Sequence, residues 1–357
     1  MSAERQPNAP LSVLVTGASR YLGAHVASRL AVDPRFGRVV GLDSFDPPPE
    51  LAALLESVEL VRAEPGAMLD AIADIDPQVL VHLAIATTPD PHRGGRAGMK
   101  EQNIVGTMQV LAAGQRVAGL RKLVVRSSTA AYGASFRDPA VFTEDTEPRE
   151  TPRGGFARDV LDIEGYVRGF RRRRPDAVVT VLRLAPLIGA TADTTLTRYL
   201  AQPVIPTVFG RDPRLQFLHV DDALEVLHRA VTEDHDGTFN VAGPGVLTLS
   251  QAVRRAGRIP APIVEPALSA AAELAGPLSV TRYGLDQVDL LVHGRVVDVT
   301  KLAKEFGFVP RSTAEAFDDF VRAHADGEVI NGFQLAVAEQ VILAGIRRLR
   351  ATLREPS

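Results

Sequence analysis

The sequence contains no cysteine and carries little net charge. Its 357 residues include 40 lysines and arginines against 43 aspartates and glutamates, for a formal net charge of −3 at pH 7. The lack of cysteine excludes disulfide bonds, thiolate nucleophiles and cysteine-ligated metal sites. The near balance of charge gives no indication of a nucleic-acid partner. We therefore predict neither a metal site nor binding to nucleic acid.

Long apolar runs are also absent. The chain contains no stretch of about 18 apolar residues, the length that crosses a bilayer. The first ten residues are mostly polar and include proline, unlike the apolar core of a secretory signal peptide. A hydrophobic share of 45% is typical of a globular protein. These features predict a globular protein of the cytoplasm.

A glycine-containing turn near the start of the chain predicts a phosphate site. A short apolar run ends at Thr16, Gly17 interrupts it, and a stretch rich in small residues follows, which indicates strand, tight turn and helix. In such a unit Gly17 permits the sharp turn, and Gly23 lets the helix lie against the strand. The free amides at the helix N-terminus then face a dinucleotide pyrophosphate.

This turn resembles a known nucleotide loop. Thr16-Gly17-Ala18-Ser19 with Gly23 is similar to the loop of the short-chain dehydrogenase/reductases, in particular the extended, NAD-dependent epimerase/dehydratase branch that includes UDP-glucose 4-epimerase. That branch carries Thr-Gly-x-x-Gly-x-x-Gly, so Arg20 stands where its middle glycine would be. The resemblance implies an α/β fold, a Rossmann-type doubly wound parallel sheet with a smaller C-terminal substrate lobe. The loop residues predicted to bind the cofactor are Gly17, Ser19, Arg20, Tyr21, Leu22 and Gly23.

The choice between NAD and NADP depends on two residues. Asp43 closes a second predicted strand, 20 positions beyond Gly23. An acid at about this distance accepts hydrogen bonds from the adenosine ribose and repels a 2′-phosphate, which favours NAD. Arg20 favours the alternative, NADP, because a basic residue in the glycine loop can pair with that phosphate. We predict NAD as the cofactor, with NADP as the alternative.

Further cofactor contacts are implied by the resemblance. Glu64 stands where the family places an acid beside the adenine, and the run that follows Val81 resembles the family's His-Leu-Ala-Ala strand end. The small residues of that strand end let the backbone pass close to the cofactor. His82 itself is interpreted as a hydrogen-bonded core histidine. The residues added to the predicted cofactor site are Glu64, Leu83, Ala84, Ile85 and Ser127.

A second match covers strand five and the turn after it. In the run Ser-Ser-Thr-Ala-Ala-Tyr-Gly, aligned on Tyr132-Gly133, Ser128 takes the position of the family's catalytic serine. The alternative is that the serine pair serves only the turn.

The family's proton-transfer pair has no counterpart at the matching positions. Its next helix carries Tyr-x-x-x-Lys, which places both side chains on one helical face. Here Phe156 and Val160 occupy those positions, and neither side chain can transfer a proton. Positioned acids and bases contribute roughly 10²–10⁴ in rate. The nearest substitute is Asp159 with Ser128 as its relay. The alternative is that Asp159 is a solvated surface carboxylate.

The substrate half departs from the family at two phosphate ligands. Pro186 replaces an asparagine and Leu215 replaces an arginine that, in sugar-nucleotide enzymes, hold the diphosphate. The sequence is therefore compatible with either a small substrate or a nucleotide-linked substrate. Asp221 or Asp222 is expected to cap the helix that follows, because aspartate is a preferred N-cap residue.

The chain divides into four predicted parts. Residues 1–10 form a polar N-terminal tail, 11–190 the NAD(P)-binding Rossmann domain, and 191–325 a mixed substrate lobe with segments returning to the sheet. Residues 326–357 repeat apolar side chains at helical spacing, which predicts an amphipathic helix. That helix is expected to pack on the body or on a second subunit of a homodimer. Contact with an anionic membrane surface is the alternative.

Three hypotheses about function follow. The first is an oxidoreductase or epimerase-like enzyme with a degenerate active site, acting on a small or nucleotide-linked substrate. The second is a catalytically silent dinucleotide-binding sensor or interaction module. In the third, Arg20 blocks the phosphate site and no cofactor binds.

Overall fold

A computed structural model describes residues 10–149, 152, 155–264 and 285–324. The predicted C-terminal helix at 326–357 and nearly all of the predicted tail at 1–10 therefore lie outside the described residues. The thirteen strands of the described part are β1 (Leu11–Thr16), β2 (Phe36–Asp43), β3 (Glu59–Arg62), β4 (Val79–His82), β5 (Lys122–Ser128), β6 (Val178–Leu184), β7 (Leu187–Ile188), β8 (Val204–Val208), β9 (Arg214–Leu215), β10 (Leu218–His219), β11 (Gly237–Val241), β12 (Leu247–Thr248) and β13 (Ile259–Ile263).

The α-helices lie between these strands and after them. In the same part of the chain they are α1 (Tyr21–Ala31), α2 (Pro49–Ala52), α3 (Met68–Ile75), α4 (Gly95–Lys100), α5 (Thr107–Arg116), α6 (Gly155–Arg173), α7 (Thr195–Leu200), α8 (Val220–Thr232), α9 (Leu249–Arg255), α10 (Leu285–His293), α11 (Thr300–Phe306) and α12 (Thr313–Ala323). A π-helical segment, Glu101–Gly106, joins α4 to α5. None of the described helices is long and apolar enough to span a bilayer.

Seven strands form one parallel sheet in the order β11-β6-β5-β4-β1-β2-β3. The chain leaves β1 toward one edge of the sheet and returns to β4 on its other side. Such a reversal opens a crevice at the carboxyl ends of the two strands, where α/β proteins bind ligands. The predicted doubly wound α/β fold is confirmed, and the glycine loop lies at this crevice.

Both faces of the sheet are covered, which explains its continuous apolar strands. Along β1, Val13 and Val15 pack with residues of α1 and α8, whereas Leu14 packs with residues of α3, α5 and α6. Successive side chains of a strand point to opposite faces, so a strand with helices on both sides is apolar throughout.

The segments after β6 form a smaller lobe with its own apolar core. Three two-stranded sheets pair β7 with β10, β8 with β13, and β9 with β12. A separate cluster of buried side chains extends from Ile188 to Phe320. Strand β11 returns to the main sheet beside β6, and Phe306 of α11 packs against Phe239. The domain boundaries drawn at residues 190 and 325 stay predictions.

The start of α8 differs from the sequence prediction. Its N-cap is His219, whose Nδ1 accepts a hydrogen bond from the Asp221 amide at 3.2 Å. The prediction that Asp221 or Asp222 caps this helix is therefore wrong. Both aspartates lie in the first turn, where a negative charge still complements the helix dipole.

Candidate functional site

The turn after β1 leaves no room for a side chain at either of its two glycines, Gly17 and Gly23. Gly17 has φ of +79°, and a Cβ placed there would lie 2.8 Å from the backbone nitrogen of Ala84. A Cβ on Gly23 would lie 2.0 Å from the carbonyl oxygen of Gly17. Both positions therefore require glycine. The N-cap residue of α1 is Arg20, and it makes no side-chain hydrogen bond to the first turn, so the α1 amides stay open toward the crevice.

The neighbouring residues of the loop have different surroundings. Tyr21 begins α1 and its hydroxyl lies 2.9 Å from Thr191 Oγ1, in the segment that follows β7. Leu22 is 7% exposed and packs in the core, so only its backbone faces the loop. Ser19 donates its hydroxyl hydrogen to the Phe45 carbonyl at 2.6 Å.

Asp43 lies at the end of β2, beside the glycine loop. Its carboxylate accepts hydrogen bonds from the amides of Ser19 at 3.2 Å and Ser44 at 2.9 Å. Burial raises the pKa of Asp43, and the charges of Arg20 and Arg93 oppose that shift. Asp43 lines a cavity of about 430 Å³ together with Glu64, Ala84 and Met68. The structure thus brings the predicted ribose acid and the predicted adenine residue to one cavity.

Two arginines flank the aromatic ring next to Asp43. The guanidinium carbon of Arg93 lies 3.4 Å from the centroid of the Phe45 ring, and that of Arg20 lies 5.2 Å from it. Burial lowers the pKa of Arg20, and the charge of Asp43 opposes the shift. Among the described residues the buried Nε of Arg20 has no hydrogen-bond partner. This unpaired donor lies where an anionic ligand would enter the crevice.

The end of β4 forms the opposite wall of the crevice. His82 is 1% exposed and lies between Thr16 Oγ1 at 2.8 Å and Thr107 Oγ1 at 2.9 Å. Its interpretation as a hydrogen-bonded core histidine is confirmed. The run Leu83, Ala84 and Ile85 follows at once and brings its backbone against Gly17.

Asn103 fixes the backbone just beyond that run. Its side chain accepts from the Ala86 amide at 2.8 Å and donates to the Ala86 carbonyl at 3.0 Å.

A second cavity, of about 520 Å³, opens at the carboxyl ends of β5 and β6. Its wall includes Ser128, Phe156, Arg126, Pro186 and Leu196. The Ser128 hydroxyl oxygen accepts a hydrogen bond from the Ala130 amide at 3.1 Å. Ser128 therefore stabilises the turn after β5 and also lines the cavity.

Asp159 lies behind the wall of this cavity. It is 1% exposed and accepts hydrogen bonds from Arg96 at 2.6 and 2.8 Å and from the Asn103 amide group at 3.1 Å. The alternative that Asp159 is a solvated surface carboxylate is therefore wrong. Its cationic partner, Arg96, lies on α4, far away in sequence. The side chain that reaches the cavity from this pair is Arg96. The proton-carrier role of Asp159 stays a prediction.

A second buried ion pair supports the strand that carries the serines. Glu164, 3% exposed, accepts from Arg183 at 2.7 and 2.9 Å and from the Ser127 hydroxyl at 2.6 Å. Ser127 thus faces α6 through its side chain while also lining the cavity. Val160, between the two acids on α6, is 1% exposed and packed in the interior.

The two substituted phosphate positions do not share one surface. Pro186 lies on the cavity wall, whereas Leu215 is 1% exposed in the core of the smaller lobe. Its neighbour Arg214 donates to the Ala140 carbonyl at 2.8 Å. In the described part of the chain, no group of three or more His, Cys, Asp or Glu side chains is arranged to hold a metal ion.

Comparison with known protein families identifies the family to which the chain belongs. The sequence model of the NAD dependent epimerase/dehydratase family matches residues 13–242, which is more than half of the chain. The chain belongs to this family. The match extends from β1 through β11, so it includes the whole lining of the 430 Å³ cavity and most of that of the 520 Å³ cavity.

Relatives of this epimerase/dehydratase protein are found in several bacteria and a plant. The uncharacterized protein Rv0501 of Mycobacterium tuberculosis is 44% identical over 328 residues, covering 91% of this chain and 87% of the relative. UDP-glucuronic acid decarboxylase 2 of Arabidopsis thaliana is 24% identical over 258 residues, covering 67% of this chain and 55% of the relative.

Solved structures share the fold of this family member at low identity. MoeE5 in complex with UDP-glucose and NAD superimposes with a TM-score of 0.65 at 21% identity, covering 88% of this chain and 98% of that one. UDP-glucose 4-epimerase from Thermotoga maritima gives a TM-score of 0.66 at 19% identity, covering 88% and 99%.

Two arginines of this family member were missed by sequence reasoning. Arg96 lies in a glycine- and arginine-rich segment with no periodic pattern, and its partner Asp159 is 63 positions away. Arg126 interrupts the apolar run of β5 two residues before Ser128, and that interruption was the available signal. An alternating strand places the side chains of residues 126 and 128 on one face.

Proposed function

We propose that this protein binds NAD(H) in the crevice between β1 and β4 and a substrate in the adjacent 520 Å³ cavity. The observation that carries the proposal is the crowding at Gly17 and Gly23, where a Cβ would collide with backbone. Such closeness leaves backbone amides bare for a pyrophosphate. Similar solved structures, among them MoeE5, are complexes with NAD.

The residues present fit a dinucleotide. The amides of Tyr21 and Leu22 at the start of α1 would hold the pyrophosphate, aided by the unpaired Arg20 Nε. Asp43 would accept the hydroxyls of the adenosine ribose, with Glu64 at the adenine. The backbone of residues 83–85 and Ser127 would lie toward the nicotinamide.

NAD is the proposed form of the cofactor. The Asp43 carboxylate lies at the end of β2 with lone pairs left after its two amide bonds. A 2′-phosphate placed there would meet a like charge in a partly desolvated cavity. Arg20 and Arg93 would lessen that repulsion, and NADP is therefore the alternative.

The proposed reaction is of the epimerase/dehydratase type on a small or nucleotide-linked substrate. When bound, NAD supplies a hydride acceptor beside the cavity. Ser128 would hydrogen-bond a substrate hydroxyl, while Phe156 would contribute an apolar wall where the family resemblance places a tyrosine. Because neither Phe156 nor Val160 can exchange a proton, we expect turnover to be weak, by roughly 10²–10⁴ relative to an intact pair.

A silent dinucleotide sensor is the second candidate. It is favoured by the state of Asp159, the nearest substitute acid, whose carboxylate is already engaged by Arg96 and Asn103. On this hypothesis the cofactor binds and no substrate is turned over.

Fluorescence titration with NADH and NADPH tests the proposal. We expect saturable NADH binding that is tighter than NADPH binding, and loss of both in Gly23→Val. Ala31→Val, at a half-buried position in the last turn of the same helix, is the control and should bind as wild type. Absence of NADH binding in the wild type would instead favour blockage of the loop by Arg20. Nicotinamide absorbance with UDP-glucose then separates the enzyme from the sensor.

A further inference from the structure

Arg126 is a half-buried cation on the wall of the 520 Å³ cavity, without an acidic partner among the described residues. Its Nη1 donates to the Ile85 carbonyl at 2.8 Å. Burial, together with the charge of Arg20, lowers the pKa of Arg126 to about 10. The guanidinium therefore remains protonated at pH 7. Among the residues that the structure describes, no carboxylate forms an ion pair with it. A desolvated charge of this kind destabilises the fold unless a ligand compensates it.

Two other arginines near the site pair with buried acids. Arg96 pairs with Asp159 at 2.6 Å and Arg183 pairs with Glu164 at 2.7 Å. Arg126 differs from both because the charge that acts on its pKa is that of another cation, Arg20. The electrostatic environment is therefore complementary to an anion.

The position of Arg126 identifies where that anion would lie. Arg126 and Ser128 point to the same face of β5, and their Cα atoms are separated by roughly 7 Å along the strand. Both line the 520 Å³ cavity with Phe156, whereas Arg20 lines the neighbouring crevice. An anion on Arg126 would thus lie within a few ångströms of the proposed reacting group.

We propose that Arg126 anchors an anionic group of the substrate, a carboxylate or a phosphate, beside Ser128. The guanidinium offers planar paired donors that match either group. The inference rests on the proposed function, because it assigns the 520 Å³ cavity to the substrate. The other source of such an anion is the diphosphate of the dinucleotide, and the experiment separates the two sources.

The test compares wild type, Arg126→Met, Arg126→Lys and the control Arg121→Met. Arg121 is exposed and immediately precedes β5 at the opposite end of the strand. Inorganic phosphate is titrated at constant ionic strength, with sodium chloride as the balancing salt, and the melting temperature is followed with and without saturating NADH. NADH binding is measured separately for each variant.

We expect phosphate to stabilise the wild type and Arg121→Met equally, in the presence of NADH as well as in its absence. Arg126→Met should weaken the apparent phosphate affinity about 10- to 100-fold, since a charge-assisted bond is lost. Arg126→Lys should lie between, because lysine keeps the charge without the fork. No phosphate effect in the wild type, or an equal effect in Arg126→Met, would overturn the proposal. A phosphate effect abolished by NADH would assign Arg126 to the cofactor and overturn it too.

The ligand-free stability gives a second readout. Replacing an uncompensated interior charge by methionine should raise the melting temperature by about 1–4 °C. A fall in melting temperature would indicate that Arg126 is structural. If wild type fails to bind NADH while phosphate still depends on Arg126, the proposed function fails and the anion site survives.

Discussion

At the residue scale, the hydrogen bonds of His82 define its protonation. Thr107 donates its hydroxyl hydrogen to the Asn103 carbonyl at 2.5 Å, so its oxygen accepts from His82 Nε2. The Thr16 hydroxyl then donates to Nδ1. This neutral tautomer is inferred from the network. A proton added to Nδ1 would require the Thr16 hydroxyl to turn its hydrogen away, and burial lowers the pKa of His82 to about 4.

His82 should make stability depend on pH. Its folded pKa of about 4 lies below the ordinary value of 6.5, so the unfolded chain binds the proton first as pH falls. Stability is therefore lost below pH 6.5, by about 2 kcal/mol between pH 7 and pH 5. Urea unfolding at both pH values should show a smaller loss for His82→Gln. The exposed His92→Gln control should keep the wild-type loss. Equal losses in all three proteins would refute this assignment.

Asp43 should set the cofactor preference. Asp43→Asn removes the negative charge and keeps one of the two oxygens that accept from the Ser19 and Ser44 amides. With Arg20 and Arg93 left to face a 2′-phosphate, the ratio of NADPH to NADH affinity should rise about tenfold, as Coulomb energies near a protein surface permit. Fluorescence titration measures both affinities. The exposed Glu64→Gln is the matched control, and a larger change there would shift the assignment away from Asp43.

At the element scale, helix α6 carries two buried acids that hold other elements. Asp159 pairs with Arg96 of α4, and Glu164 pairs with Arg183 of β6. Arg96 of the first pair lines the 520 Å³ cavity, whereas the second pair joins α6 to a strand of the main sheet. The family resemblance implied this helix from the sequence, but it gave no indication of the partners, because each arginine lies on a different element.

Breaking the first pair should destabilise the fold. Asp159→Asn leaves the Arg96 guanidinium without a counter-charge and should lower the free energy of unfolding by about 2–4 kcal/mol. Asp162→Asn, on the exposed side of α6 with a loose Arg158 contact of 3.7 Å, should change it by less than about 0.5 kcal/mol. Urea denaturation compares them. Wild-type stability in Asp159→Asn would favour a free, functional carboxylate at this position.

Restoring the family's pair on α6 tests the degenerate-site proposal. Phe156→Tyr with Val160→Lys should raise nicotinamide turnover on UDP-glucose by about 10²-fold or more if the lost acid limits the reaction. Phe156→Tyr alone is the control for the hydroxyl group without its lysine. Val160 is 1% exposed, so the double variant should also lose stability, which a melting curve would show. Robust wild-type turnover would contradict the proposal.

At the scale of the whole molecule, local patterns predicted the sheet and the glycine loop. Strand and helix alternation and the spacing of Gly17 and Gly23 act over a few residues, which is why they are visible in the sequence. Charge compensation acts through space. The pairing of Asp159 and the isolation of Arg126 depend on which elements the fold brings together, so the sequence left the interior of the cavity undetermined.

The central claim is that one dinucleotide extends through both cavities. It would reach from the glycine loop to a cavity wall that lacks a proton donor. Asp43 and Glu64 line one cavity, and Ser128 and Phe156 line the other, with Arg20 at the crevice between.

A crystal structure grown with saturating NADH tests this claim most directly. We expect the pyrophosphate on the Gly17–Gly23 loop, the adenosine ribose on Asp43, and the nicotinamide ring in contact with the wall formed by Ser128 and Phe156. An empty crevice, or a nicotinamide ring next to an intact ionisable pair with Phe156 turned away, would contradict it.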